Sequence, residues 1–145
     1  MSKSNALENA ILELIFKATT FADIAENDTT SPATSLYVTL HTADPGEAGT
    51  QATNETNYGS YDRVAVARSG SGWTVTGNTV TNAALVQFPQ CTSGTATITH
   101  VGVGLGATAA SATVLLYKGA LSSSLSVSSG IQPQFAIGAL QIQED

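Results

Sequence analysis

The stretch from Trp73 to Thr81 restricts the fold more than any other part of the chain. Trp73-Thr74-Val75-Thr76 and Thr79-Val80-Thr81 flank Gly77-Asn78, and two β-prone runs separated by such a pair read as a hairpin closed by a two-residue turn. That register sets Val75 opposite Val80 and Thr74 opposite Thr81, with Trp73 diagonal to Val80 on the apolar face. Further strands are written on both sides of it. Leu36, Val38 and Leu40 alternate with Tyr37, Thr39 and His41, a half-buried strand that stops at the turn Asp44-Pro45-Gly46. Arg63 to Arg68 alternates Val64 and Val66 with alanines, and Ala84–Phe88, Ala96–Val103, Thr113–Ala120, Leu125–Ser128 and Ala139–Gln143 are further candidates. About eight short strands broken by turn signals predict an all-β fold, an antiparallel β-sandwich or jelly roll.

The front of the chain follows a different period. From Asn5, the apolar set Ala6, Leu7, Ala10, Ile11, Leu14, Ile15 and Ala18 recurs at three- and four-residue spacing, which predicts an N-terminal α-helix with one apolar stripe. Asn5 with Glu8 reads as a capping box, and Glu13 with Lys17 as a favourable pair one turn apart. Such a helix packs on its own domain, covers a sheet face or lies on a neighbouring subunit. Ala22 to Ser35 is polar and contains Pro32, so it reads as a connecting arm. The organisation expected is therefore a helix and arm over residues 1–35 and a β-sandwich domain over residues 36–145.

Charge is sparse and uneven. Residues 1–62 hold nine of the eleven acids against Lys3 and Lys17, whereas residues 63–143 hold only Arg63, Arg68 and Lys118 and no acid. A surface that relies on Ser, Thr, Asn and Gln differs from the dense mixed charge of an ordinary soluble monomer, and it suits a subunit packed against others. The net charge of −6 argues against nucleic acid as a partner, because phosphate neutralisation needs clustered Lys and Arg. No run approaches the roughly 20 apolar residues of a membrane span, and Lys3 and Glu8 interrupt the segment where a secretory signal would lie. The expectation is a protein made in a host cytoplasm, with no membrane partner. Cys91 stands alone and reads as a small buried hydrophobe.

No residue set converges on catalysis or a cofactor. His41 lies close to Asp44, but no Gly-x-Ser-x-Gly elbow accompanies them. Gly102-Val103-Gly104-Leu105-Gly106-Ala107 matches G-x-G-x-x-A, yet a second strand candidate follows instead of a helix, and no acid occurs between Asp62 and Glu144 to bind a ribose. A glycine-rich turn between strands accounts for it. Asp44, Glu47, Glu55 and Asp62 surround the long loop Gly46–Ser60, but their spacing fits no compact calcium loop. Loops of that length are usually functional or disordered. At its end Tyr58, Tyr61, Asp62 and Arg63 combine aromatic groups with both signs of charge, a composition favoured at protein interfaces. These four, with Leu7, Ile11, Leu14 and Ile15 of the helix, are the candidate contact residues.

A series of short motifs then stands in a fixed order. Leu36-Tyr37-Val38-Thr39-Leu40-His41-Thr42-Ala43-Asp44-Pro45-Gly46 is followed by Gln51-Ala52-Thr53-Asn54-Glu55 and by Tyr61-Asp62-Arg63-Val64-Ala65-Val66-Ala67-Arg68. Gly72-Trp73-Thr74-Val75, Asn82-Ala83-Ala84, Phe88-Pro89 and Thr99-His100-Val101-Gly102 complete the series. Together these resemble a family of small virion proteins of tailed phages and prophages, often labelled tail-fibre-like. The resemblance covers about residues 36–143 and implies a non-enzymatic structural subunit of the virion.

Its place in the particle must be argued physically. The chain has no heptad run, collagen-like repeat or β-helix period to build a long trimeric shaft. A compact sandwich with a helical arm suits a capsid cement or decoration protein, whose partners are the major capsid protein and copies of itself. A tail, collar or tail-fibre component is the alternative expectation. A carbohydrate-binding module is more remote, since such a module normally shows several exposed aromatic residues and this chain has one Trp and four Tyr.

Overall fold

The computed structural model describes residues 4–21 and 33–144, with the side chains of Asn5 and Leu7 left outside the description. The capping side chain of Asn5 and residues 22–32 of the expected arm therefore lie outside the described residues. Among those described, helix α1 (Asn5–Lys17) precedes nine strands: β1 (Ser35–His41), β2 (Val64–Ala67), β3 (Trp73–Thr76), β4 (Thr79–Asn82), β5 (Val86–Gln87), β6 (Thr95–Gly104), β7 (Leu115–Ser128), β8 (Gln134–Phe135) and β9 (Gln141–Gln143). The sheets run in the orders β2-β1-β6-β7, β3-β4-β9 and β5-β8. This is the all-β class with an N-terminal helix that the sequence predicts.

Two compact units alternate along the chain, one drawn from Met1–Ser35, Val66–Val86 and Phe135–Asp145, the other from Leu36–Ala65 and Gln87–Gln134.

In the first unit the predicted hairpin register is found, with Val75 opposite Val80 and Thr74 opposite Thr81. Gly77 takes φ of 62°, the conformation that a tight hairpin turn requires at its first central position. Strand β9 adds to β4, with Ile142 opposite Val80. Trp73 and Val80 are buried, and Val75 is half-buried. Helix α1 packs on β3 and β4, and the Phe16 ring meets Trp73 edge-on at 4.7 Å between centroids.

The buried row of the helix is Glu8, Leu12 and Phe16, spaced four apart, whereas Ile11, Leu14 and Ile15 are half-buried. At about 100° per residue, this row lies roughly 145° around the helix from the centre of the predicted stripe. The predicted stripe leaves out Leu12 and Phe16, and it is the Phe16 ring that packs on Trp73. Arg68 fixes the helix end. Its Nε donates to the Ile15 carbonyl at 2.6 Å and its Nη2 to the Leu14 carbonyl, satisfying acceptors that the last turn leaves without a partner.

In the second unit β1 pairs with β6 and β6 with β7, both antiparallel. Leu36, Val38 and Leu40 fill one side of β1, while Thr39 and His41 point to the other and are equally buried. The half-buried strand expected here is thus covered on both faces. The segment after Asp44 returns beside the strand's end: Thr42 N–H donates to the Asn54 carbonyl, Thr56 N–H donates to the Leu40 carbonyl, each at 2.9 Å, and His41 pairs with Glu55 in an antiparallel β-bridge, while the Thr53 carbonyl of the same segment meets the His41 ring on the polar side. The two strands predicted at Thr113–Ala120 and Leu125–Ser128 are one strand, β7. Its register against β6 jumps from Ile98–Leu125 to His100–Ala120, so that Leu121–Ser124 face Thr99 alone, an enlarged bulge of the kind that bends a strand.

Candidate functional site

Residues that sequence reasoning offers as a contact surface turn out, in large part, to build the inside of the second unit. Arg63 and Glu55 form an ion pair in which Nε donates to Oε1 and Nη2 to Oε2, both at 2.8 Å, with side chains 0% and 3% exposed. Two parallel charge-assisted bonds of this fork geometry fix orientation as well as charge. The remaining hydrogens of the guanidinium reach the loop between β6 and β7. Nη1 donates to the Gly106 carbonyl at 3.0 Å and to Thr113 Oγ1 at 2.9 Å, and Nη2 donates to the Ser111 carbonyl at 2.9 Å. Glu55 Oε2 accepts from the Ala110 amide at 2.8 Å. The pair therefore clamps a loop of alanine, serine and threonine whose own side chains offer little to hold it.

Gln51 completes the clamp. Fully buried, it accepts through Oε1 from the Gly106 amide and from Thr113 Oγ1, each at 2.7 Å. His41 lies in the same polar layer. Its Nδ1 is 2.9 Å from the Thr53 carbonyl, which only accepts, so Nδ1 carries the proton, and Nε2 accepts from Thr39 Oγ1 at 2.8 Å. Burial holds the imidazole below its ordinary pKa of 6.5, against the opposing pull of the Thr53 hydrogen bond. His41 is accordingly neutral, and it bonds to a threonine and a carbonyl rather than to Asp44. Asp44 instead pairs with Lys118 at 2.9 Å and accepts from the Gly46 amide, and these contacts keep its carboxyl below the usual range.

The glycine pattern belongs to this layer as well. A Cβ on Gly102 would stand 2.5 Å from Thr39 Oγ1 and 2.8 Å from His41 Nε2, and one on Gly104 would stand 2.3 Å from Gln51 Cδ. Both glycines sit within β6 and not in a turn, and they let a polar layer press onto the strand backbone.

The tyrosines close the other side of the network. Tyr61 Oη donates to Glu55 Oε1 at 2.9 Å and accepts from the Leu40 amide at 3.2 Å, and its ring stacks on Phe88. Tyr58 is 4% exposed and donates to the Pro89 carbonyl at 2.9 Å. Burial raises both phenols, that of Tyr58 to about 12. Of the four loop-end candidates, then, only Asp62 is exposed, its carboxylate accepting from the Arg63 amide at 2.8 Å. Tyr58 and Arg63 face inwards because they are the groups that tie distant segments together. The helix candidates Ile11, Leu14 and Ile15 are half-buried, and the side chain of Leu7 lies outside the described residues. The two sets of candidates belong to different units.

Sequence reasoning misses Gln51 and the pairing of Glu55 with Arg63. The available signal was scarcity: an arginine in an apolar, alternating run within a charge-poor half is a candidate for burial beside whichever acid can reach it. Asp44, Glu47, Glu55 and Asp62 do not converge, and among the described residues no three His, Cys, Asp or Glu groups are placed to share an ion. Among the same residues no helix is long and apolar enough to cross a membrane.

A family model described as Podophage GP4 fiber I protein gp80 matches residues 2–143, nearly the whole chain. A search of curated proteins finds no match.

Proposed function

Because the chain belongs to the podophage GP4 fiber I protein gp80 family, we propose that it is a non-enzymatic structural subunit of the virion's fibre apparatus, and that its work is to bind other protein subunits, copies of itself among them. The family match carries this reading. The buried polar groups agree with it: Arg63, Glu55, Gln51 and His41 have their bonding capacity directed to loops and strands of their own unit, so they act as fasteners and not as groups poised for a substrate. Sparse charge across residues 63–143 supports a surface made for packing.

The capsid-cement position expected from the sequence, with the major capsid protein as partner, has less in its favour, because the family's description is that of a fibre. Copy number separates the two. Quantitative mass spectrometry of purified virions, with antibody labelling in the electron microscope, is expected to find a few dozen copies or fewer, placed on the tail apparatus. Hundreds of copies spread over the shell would restore the cement reading and reject the fibre.

A further inference from the structure

Asn82, at the end of β4, is 1% exposed and bonded on every side. Its Nδ2 donates to the carbonyls of Ala84 and Ala136, each at 2.8 Å, and its Oδ1 accepts from the Leu140 amide at 2.9 Å. Its own carbonyl accepts from the Gly138 amide at 2.9 Å. One side chain thus binds together the loop after β4 and the loop before β9, both in the first unit.

These two loops present an unusual surface. Ala84, Leu85, Ala136, Ile137, Gly138 and Ala139 are all exposed, Leu85 to 50% and Ile137 to 71%. The Ala139 amide donates to the Ala136 carbonyl at 3.0 Å, and Gly138 has φ of 76°, which places Ile137 at the first corner of a β-turn with glycine at the second. Turn corners are ordinarily filled by Pro, Asn, Asp or Ser. A run of exposed apolar residues with no polar member is a defect in a free monomer unless it has a use, and here a fully satisfied buried asparagine holds it in one shape. Rigid presentation of apolar side chains lowers the ordering cost of binding.

We propose that this Asn82-pinned tip is a contact surface for the same tip of a second copy of the chain; the proposal rests on the fibre-subunit reading. Two observations select a second copy. In a two-fold contact the same patch faces itself, so a tip carrying net charge of one sign repels its copy. This tip lies within residues 69–117 and 119–143, which contain no charged side chain, and it offers nothing for a charged partner to match. The patch is also small. Its large apolar side chains are two, Leu85 and Ile137, so the contact is modest by itself and gains strength where several copies are gathered in one assembly.

Cysteine cross-linking in the full chain tests this directly. Ile137→Cys is compared with Ser124→Cys, an exposed position in the second unit, the native Cys91 being buried. Under mild oxidant the Ile137→Cys variant is expected to form its disulfide-linked dimer at least about tenfold faster than the Ser124→Cys variant. Ile137→Asp is expected to weaken concentration-dependent association in sedimentation by a similar factor while melting as the wild type does. Equal cross-linking rates, or association untouched by Ile137→Asp, overturns the proposal. So does loss of Ile137→Asp from virions with self-association intact, which would assign the tip to a different subunit. Imaging of labelled wild-type protein in the virion judges the fibre reading separately, since the cross-linking result needs no virion.

Discussion

Replacing Arg63 by methionine keeps most of the side chain's volume and removes its charge, leaving Glu55 with a carboxylate that is 3% exposed and facing no cation. The Tyr61 hydroxyl and the Ala110 amide still donate to it, but the two bonds from Arg63 are gone, as are those to Gly106, Ser111 and Thr113. Breaking a buried pair on one side costs about 3–5 kcal/mol. At roughly 2–4 °C per kcal/mol for a chain near this size, the melting temperature falls on the order of 10 °C. The double variant Arg63→Met with Glu55→Gln is expected to recover part of that loss, because no unpaired charge stays buried. Near-ultraviolet circular dichroism follows the melting, and hydrogen exchange at the Gly106 and Ala110 amides reports whether the clamped loop opens first. A single variant that melts within about 2 °C of wild type would refute the burial argument, and a double variant no better than the single would show that the stranded charge is not the cause.

Acid should weaken the second unit through His41. The folded imidazole is held below 6.5, so the unfolded chain binds more protons as the pH falls beneath that value; stability is level above it and declines below it. Urea midpoints at about pH 7.5 and about pH 5.5 should differ in the wild type and converge in His41→Gln. Thr56 Oγ1 is buried with no hydrogen-bond partner, and Thr56→Val keeps its shape, so the variant is expected to gain about 1 kcal/mol in a denaturant titration; a loss would mean the hydroxyl is bonded. Val80→Asp places a carboxylate at a fully buried position and is expected to cost about 4 kcal/mol or more, while Val75→Asp, half-buried on the opposite strand, costs about 1–3. Equal melting of the two variants would contradict the packing described for the hairpin.

Local chemistry was legible where it was self-contained. The Gly77-Asn78 turn fixes its own register, so the pairing of Val75 with Val80 follows from nine consecutive residues. The helix could be placed but not rotated, because its buried row is selected by Trp73, more than fifty residues later. Tyr58 and Arg63 read as exposed because they stand at the end of a long polar loop, and only the return of that loop beside β1 explains why they face inwards. The same return decides the glycines of β6, which resemble a nucleotide motif in sequence and serve as clearance for Thr39, His41 and Gln51. β7 divides in two on sequence because Leu121–Ser124 reads as a break, whereas the register shift keeps it within one strand. In each case the missing information was non-local: which segment would come back to cover a face.

The alternation of the two units along the chain imposes an order of events during synthesis. β4 is complete at Asn82, but its partner β9 ends at Gln143, and Val80 waits for Ile142. The first unit cannot close its three-stranded sheet until the ribosome has delivered that late segment, although its helix and hairpin emerge early. The second unit has all its residues by Gln134 and is free to fold first. Nascent β4 therefore keeps Val80 without its β9 partner for the interval in which some sixty residues are translated, about 3–12 seconds at ordinary bacterial elongation rates. A single cut between Val66 and Gln134 leaves neither unit intact, so a fragment library of this protein should return insoluble pieces from every position in that range.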